Sequence, residues 1–343
     1  MSDNGTTKNM PPIIFFGTED FSLISLQHLI NNGFPIAAVV TKPDMKKGRG
    51  KSVTVPPVKE LAQKHNIPVW QPMKLSELVN GITALQPVVG VLVSFGRIIP
   101  QDIIDLFTPG IINVHPSLLP LYRGPSPIET TILNSDSETG VSIMQLSAKM
   151  DAGPLYVQKK VDLEHYRTLT ILNKENLYRS LGLLGAEMLA QALPGIVSGA
   201  VKPTPQDESK ATYCAIIKKE DGVIDWQKPA SDIYTEVIAY SGWPGSRTSL
   251  AGIDVTITEG TSAYPVTKES DKPGTIFIDK SQLKPTELIH SGDYPLLYVV
   301  AGKDDKGLQT YYDIHRLKPA GKKEMSDREF INGYGHLLND FYI

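Results

Sequence analysis

Short unbroken apolar runs alternate with stretches of helical period through the first third of the chain. Ile13-Ile14-Phe15-Phe16 ends at Gly17, which predicts a buried strand and a turn. Apolar positions Phe21, Ile24, Leu26, Leu29 and Ile30 predict an amphipathic helix, closed by Gly33. Ile36–Val40 reads as a second buried strand and Val58–Lys64 as a short helix. Val69-Trp70 follows as a strand, Leu75–Leu85 as a helix, then Val88–Val93 and Ile112–His115 as strands. Strands apolar on both faces, separated by helices, predict a doubly wound, mainly parallel α/β sheet. In such sheets ligands lie outside the carboxyl ends of the strands. That rule selects Gly17, Ser94–Arg97 and Asn113–Ser117.

The pattern then changes. Thr168–Leu193 carries a long helical period, and residues 201–212 are polar and proline-bearing. Beyond them a helix over Ser231–Tyr240 precedes brief strand-like stretches at Asp254–Thr258, Gly274–Ile278, Tyr298–Ala301 and Thr310–Leu317. This predicts a small β-barrel or sandwich. The expected organisation is a tail over 1–12, a catalytic domain over 13–200, a linker over 201–212 and a second domain over 213–343. Length agrees, since 343 residues make roughly two domains of ~150. A net charge of −3 excludes a wholesale basic protein but leaves room for a local basic loop. The single cysteine, Cys214, excludes a disulfide framework within the chain. Seven dispersed histidines lack metal-ligand spacing, so no metal is expected. A polar start and the lack of a long uncharged apolar run make the cytoplasm the expected compartment, with no membrane partner.

Several constellations carry chemistry. Asn113 and His115, two apart on a strand, point to one face. An amide donor beside an imidazole suits a developing oxyanion, and it equally describes a satisfied pair at a strand edge. Asp151, before Gly153-Pro154, is either a turn former or a carboxylate that would keep His115 charged and fix its tautomer. Lys42–Lys51 holds five basic residues and one acid, with Gly48 and Gly50 around Arg49. Such a loop can approach a phosphate backbone or simply be solvated. Gly17-Thr18-Glu19-Asp20 lacks the partner glycines of a dinucleotide fingerprint.

Together these segments resemble the folate-dependent formyltransferases, and among them the methionyl-tRNA formyltransferase family. The resemblance rests on Ile14–Phe21, Lys42–Pro57, Val93–Pro100, Asn113–Pro127 with Ser117-Leu118-Leu119-Pro120 and Arg123-Gly124, Glu138–Gln145 and Met150–Gly153. The later segments Tyr213–Trp226, Gly242–Gly245 and Leu317–Met325 separate the tRNA enzymes from other formyltransferases. The resemblance implies a Rossmann-like catalytic domain followed by a barrel of the oligonucleotide-binding type. It implies 10-formyltetrahydrofolate as co-substrate, methionyl initiator tRNA as partner, and neither metal nor DNA. Asn113, His115 and Asp151 would be catalytic. Gly96, Arg97, Ile98 and Ile99 with Ser117, Leu118, Leu119 and Pro120 would frame the folate. Arg49, Lys46, Lys47 and Lys51 would meet tRNA. The alternatives are a sugar-nucleotide or glycinamide-ribonucleotide formyltransferase, which has no use for the basic loop, and a tRNA-binding module with a decayed site, against which the intact Asn113, His115 and Asp151 argue.

Overall fold

The computed structural model describes residues 10–47, 52–86, 88–164, 173–263, 272–278 and 297–338. Most of the expected tail, and Arg49 and Lys51 of the basic loop, lie outside these residues. The chain divides into two units, Met1–Ile128 with Ser137–Ile216, and Glu129–Asp136 with Ile217–Ile343.

The first unit is built on strands β1 (Ile13–Gly17), β2 (Ile36–Val40), β5 (Val69–Trp70), β6 (Val89–Val93), β7 (Ile111–His115), β8 (Glu138–Gln145) and β9 (Leu155–Asp162), with a small hairpin of β3 (Met45–Lys47) and β4 (Ser52–Thr54). The sheet order is β5-β2-β1-β6-β7-β8-β9. The members from β5 to β7 are parallel, and β8 and β9 run antiparallel at one edge. β1 and β7 are buried along their whole length, which is why β1 is apolar without alternation and β7 is polar only at Asn113 and His115. Ile14, Phe16, Val40 and Ile111 pack on one face with Ile82, Phe95, Ile103 and Phe107.

The other face takes helices Asp20–Asn31 and Lys174–Val197. The long helix seats closely because it carries glycines where it meets its neighbours. A Cβ on Gly182 would lie 2.7 Å from Ile24, and one on Gly185 2.7 Å from Val114. Lys174–Val197 is long and apolar enough to cross a membrane by length and composition. Leu177, Leu181, Leu189 and Leu193 are instead buried in the unit's core, and Lys174, Glu175, Arg179 and Glu187 interrupt its apolar sequence.

Leu75–Leu85 is divided into a 3-10 turn, Leu75–Leu78, and an α-helix, Val79–Ala84. The segment expected as a linker is bonded to the first unit. Leu155 and Thr204 exchange backbone bonds of 2.8 Å, and Thr212 N–H donates to Pro120 O at 3.1 Å.

The second unit is an antiparallel sheet of order β10-β11-β14-β13-β12, formed by Ser246–Leu250, Ile253–Ala263, Gln309–Pro319, Leu297–Lys303 and Ile276–Ile278, with β15 (Met325–Ser326) on β14. Helices Ala230–Ala239 and Asp327–Tyr334 supply Ile233, Val237 and Phe330 to its core with Val255, Leu297, Val299, Tyr312 and Ile314. The curled antiparallel sheet is of the small-barrel kind.

Candidate active site

Strand alternation builds the site. Val114 meets the long helix, so Asn113 and His115 project from the opposite face, continuing past the cover that Ile103 and Phe107 give to Ile111. Both are nearly buried, at 4% and 5% exposed. The Asn113 carboxamide makes no hydrogen bond to another described residue. A carboxamide with no partner among the described residues is a donor available to an incoming carbonyl oxygen.

His115 is hydrogen-bonded at one ring nitrogen and faces a carboxylate with the other. Nε2 lies 2.9 Å from Tyr122 O, and because a carbonyl only accepts, Nε2 carries the proton. Nδ1 faces Asp151 Oδ2 at 3.8 Å. The structure therefore brings Asp151 to His115 across 36 residues of chain, as the carboxylate reading of Asp151 requires. Asp151 Oδ2 is fixed in turn by the Gly124 N–H at 2.8 Å. With Nε2 engaged by the carbonyl, Nδ1 is the ring nitrogen turned towards the carboxylate.

The turn after β7 is locked from below. Ser142, opposite His115 on β8, donates to Ser117 O at 2.6 Å and accepts from Leu119 N–H at 3.1 Å. Gln158 donates to Leu119 O at 2.7 Å, and Ser117 Oγ to Leu121 O at 2.6 Å. Ser117 is thus a buried structural hydroxyl rather than a nucleophile. Leu119 is buried, while Leu118 and Pro120 are half-buried.

The residues named after β6 diverge. Gly96 has φ +67°, a conformation that suits glycine. Arg97 turns its guanidinium away, donating to Pro72 O at 2.8 Å and Met73 O at 2.9 Å. Ile98 is exposed at 77%, whereas Ile99 is a core residue. Ile98 is the apolar side chain of this group open to a ligand. Lys46 and Lys47 lie on β3, paired with Val53 and Ser52 of β4. At the hairpin's base Lys59 bonds Asp44 at 2.7 Å, and Gln71 donates to Asp44 at 2.7 Å and to Lys42 O at 2.9 Å. Gln71 first, then Lys59, holds the Asp44 carboxyl below the usual range.

Sequence reasoning missed the supports of the triad. Tyr122 O holds His115, Gly124 N–H and the Gln206 side chain hold Asp151, and Glu208 acts only through Arg123; the last two side chains sit in the stretch read as a linker. Their signal was the Gln-Asp-Glu run, whose polarity serves a buried arginine. Among the described residues no group of three His, Cys, Asp or Glu side chains could hold a metal ion.

Residues 12–192 match the formyl transferase family, and residues 216–335 match the formyl transferase C-terminal domain. The methionyl-tRNA formyltransferase of Geobacillus sp. (strain WCH70) is 39% identical over 328 residues, covering 95% of each chain. That of Bacillus subtilis (strain 168) is 37% identical over 328 residues, covering 94% of this chain and 95% of its own. Among solved structures, HypX from Aquifex aeolicus in complex with tetrahydrofolic acid matches with a TM-score of 0.57 at 17% identity, over 96% of this chain and 48% of HypX. This chain thus spans about half the length of HypX. An N-formyltransferase from Helicobacter canadensis, in complex with folinic acid and dTDP-3-aminofucose, matches with a TM-score of 0.60 at 18% identity, over 89% of this chain and 99% of its own. These two similarities bear on the fold alone.

Proposed function

The chain belongs to the formyl transferase family, and we propose from that premise that Asn113, His115 and Asp151 catalyse its reaction. That reaction is transfer of the formyl group of 10-formyltetrahydrofolate to the α-amine of methionyl initiator tRNA, as in its full-length relatives. The observation that carries the assignment is the buried imidazole of His115 facing the Asp151 carboxylate at 3.8 Å beside the unbonded amide of Asn113.

The amine attacks the formyl carbon, a C–N bond forms, and the carbonyl oxygen takes the negative charge. Asn113 donates to that oxygen. The amine's proton passes through His115 Nδ1, with Asp151 stabilising the imidazolium, and reaches N10 as its bond to the formyl carbon breaks. No covalent enzyme intermediate is required. The folate lies along Gly96–Ile99 and Ser117–Pro120, with Ile98 and Leu118 against the pterin. Arg97 acts there by shaping the loop around Pro72 and Met73. Arg49, Lys46, Lys47 and Lys51 contact the tRNA backbone, and the domains run 13–200 and 213–343. The same reading has the protein working in the cytoplasm, on tRNA rather than DNA or a membrane.

The test is formylation of charged initiator tRNA, with uncharged tRNA and an amino-sugar nucleotide as controls. Asn113→Ala should lower kcat by roughly 10²–10³, the typical loss on removing one oxyanion donor. Turnover of the amino-sugar nucleotide in preference to the tRNA, or wild-type turnover by Asn113→Ala, would overturn the reading.

A further inference from the structure

The Asp151 carboxylate reaches His115 from a backbone conformation that must be held in place. Asp151 has φ +47°, in the left-handed region that residues other than glycine seldom occupy. Such conformations persist where the surroundings over-determine them. Here the restraint comes from Gln206, which no part of the reaction uses. Its Nε2 donates to Asp151 O at 2.8 Å and to Gly153 O at 2.7 Å, clasping the turn on both sides. Its Oε1 accepts from Arg123 Nε at 3.1 Å and Nη2 at 2.8 Å.

Arg123, 1% exposed, also forks onto Glu208, Nη2 to Oε1 at 2.7 Å and Nη1 to Oε2 at 3.0 Å. Its guanidinium lies 5.9 Å from the centre of the Tyr213 ring. It directly precedes Gly124, whose N–H fixes the Asp151 carboxylate. The catalytic turn is therefore held through its backbone by Gln206 and through its side chain by Gly124, and both restraints meet at Arg123. A carboxamide alone meets the demand at position 206. It offers two donors and an acceptor, whereas Glu lacks the donors and Lys lacks the acceptor.

We propose that Gln206 is a positioning residue for the transfer reaction, setting the aim of Asp151 at His115 Nδ1; this rests on the catalytic reading of Asp151. Gln206→Glu keeps the acceptor for Arg123 and deletes the donors to the turn. Its kcat should fall by roughly 10–100-fold, as for an ångström-scale misplacement of a reacting group. KM for 10-formyltetrahydrofolate and for methionyl-tRNA should change by less than about threefold, and the melting temperature should fall only modestly, for the two carbonyl oxygens left without a donor, with the protein fully folded at the assay temperature. In an Asp151→Asn background the same change should cost nothing further, because the aim of a missing carboxylate is immaterial. Gln206→Met, which also strips the acceptor from Arg123, should show the same kcat loss with a lower melting temperature. Wild-type kcat in Gln206→Glu beside a crippled Asp151→Asn would overturn the inference alone. So would losses that multiply in the double variant, or a loss that follows the melting temperature. Full activity in Asp151→Asn by itself would overturn the catalytic reading, and the positioning role with it.

Discussion

Gly153 stands two residues from Asp151 with no room for a side chain. A Cβ there would collide with the carbonyl oxygen of Gln145, which is backbone and cannot swing aside. Gly153→Ala should destabilise the protein by about 1–3 kcal/mol or more, the usual range for overpacking, and denaturant titration would read it. Activity should fall further than stability, because the turn that displaces is the one carrying Asp151. In the second unit Asp313 is buried on β14, and its Oδ1 has no partner among the described residues. Burial pushes its carboxyl up to about 7. The unfolded chain releases this proton near the ordinary value of ~3.9, so between that pH and about 7 the folded state binds the extra proton. Its contribution to stability is therefore greatest in acid and is lost as pH rises towards 7. Asp313→Asn should raise the melting temperature at pH 8 and leave it nearly unchanged at pH 4, which thermal melts at the two values would check.

At the scale of elements, the strands that carry the site were legible because burial on both faces leaves no polar position to confuse the pattern. β7 reads as apolar up to Asn113, and the two polar residues that break the run are the ones we propose to be catalytic. The edge strand β9 was not legible. It carries Gln158, Lys159 and Lys160 on an exposed surface and has neither an apolar run nor a clean alternation. The supporting role of β8 was equally hidden, since nothing local marks Ser142 as the hydroxyl beneath the Ser117–Pro120 turn. Ser142→Ala would leave Ser117 O and Leu119 N–H without that partner in a buried place. A loss of about 1–3 kcal/mol is expected, the desolvation cost of an unsatisfied group. A raised KM for 10-formyltetrahydrofolate, with KM for tRNA unchanged, would show that the turn frames the folate.

For the whole molecule, polarity misled in a single direction. Residues 201–212 look like a linker because they are hydrophilic, yet Gln206, Glu208 and Thr212 direct that polarity into hydrogen bonds with the Asp151 and Arg123 turns. Composition reports how wet a residue can be, and topology decides what wets it. The basic loop was legible by charge, and its partner is open to direct measurement. Neutralising Arg49, Lys46, Lys47 and Lys51 should lower the salt slope of tRNA binding by about one for each phosphate set free. KM for the folate should stay where it is. An unchanged slope would remove the loop from the tRNA interface.

The backbone bonds from Pro120 and Arg123 to Thr212 and Cys214 also decide where the catalytic half can be cut. A piece ending at residue 200 would still carry Asn113, His115 and Asp151. It would leave the Arg123 guanidinium stranded and the Asp151 turn unclasped. A piece ending at residue 216 would keep the strap that closes the site. Anyone trimming this protein to a minimal folate-binding core should take the longer piece, because its last dozen residues belong to the pocket they were thought only to leave.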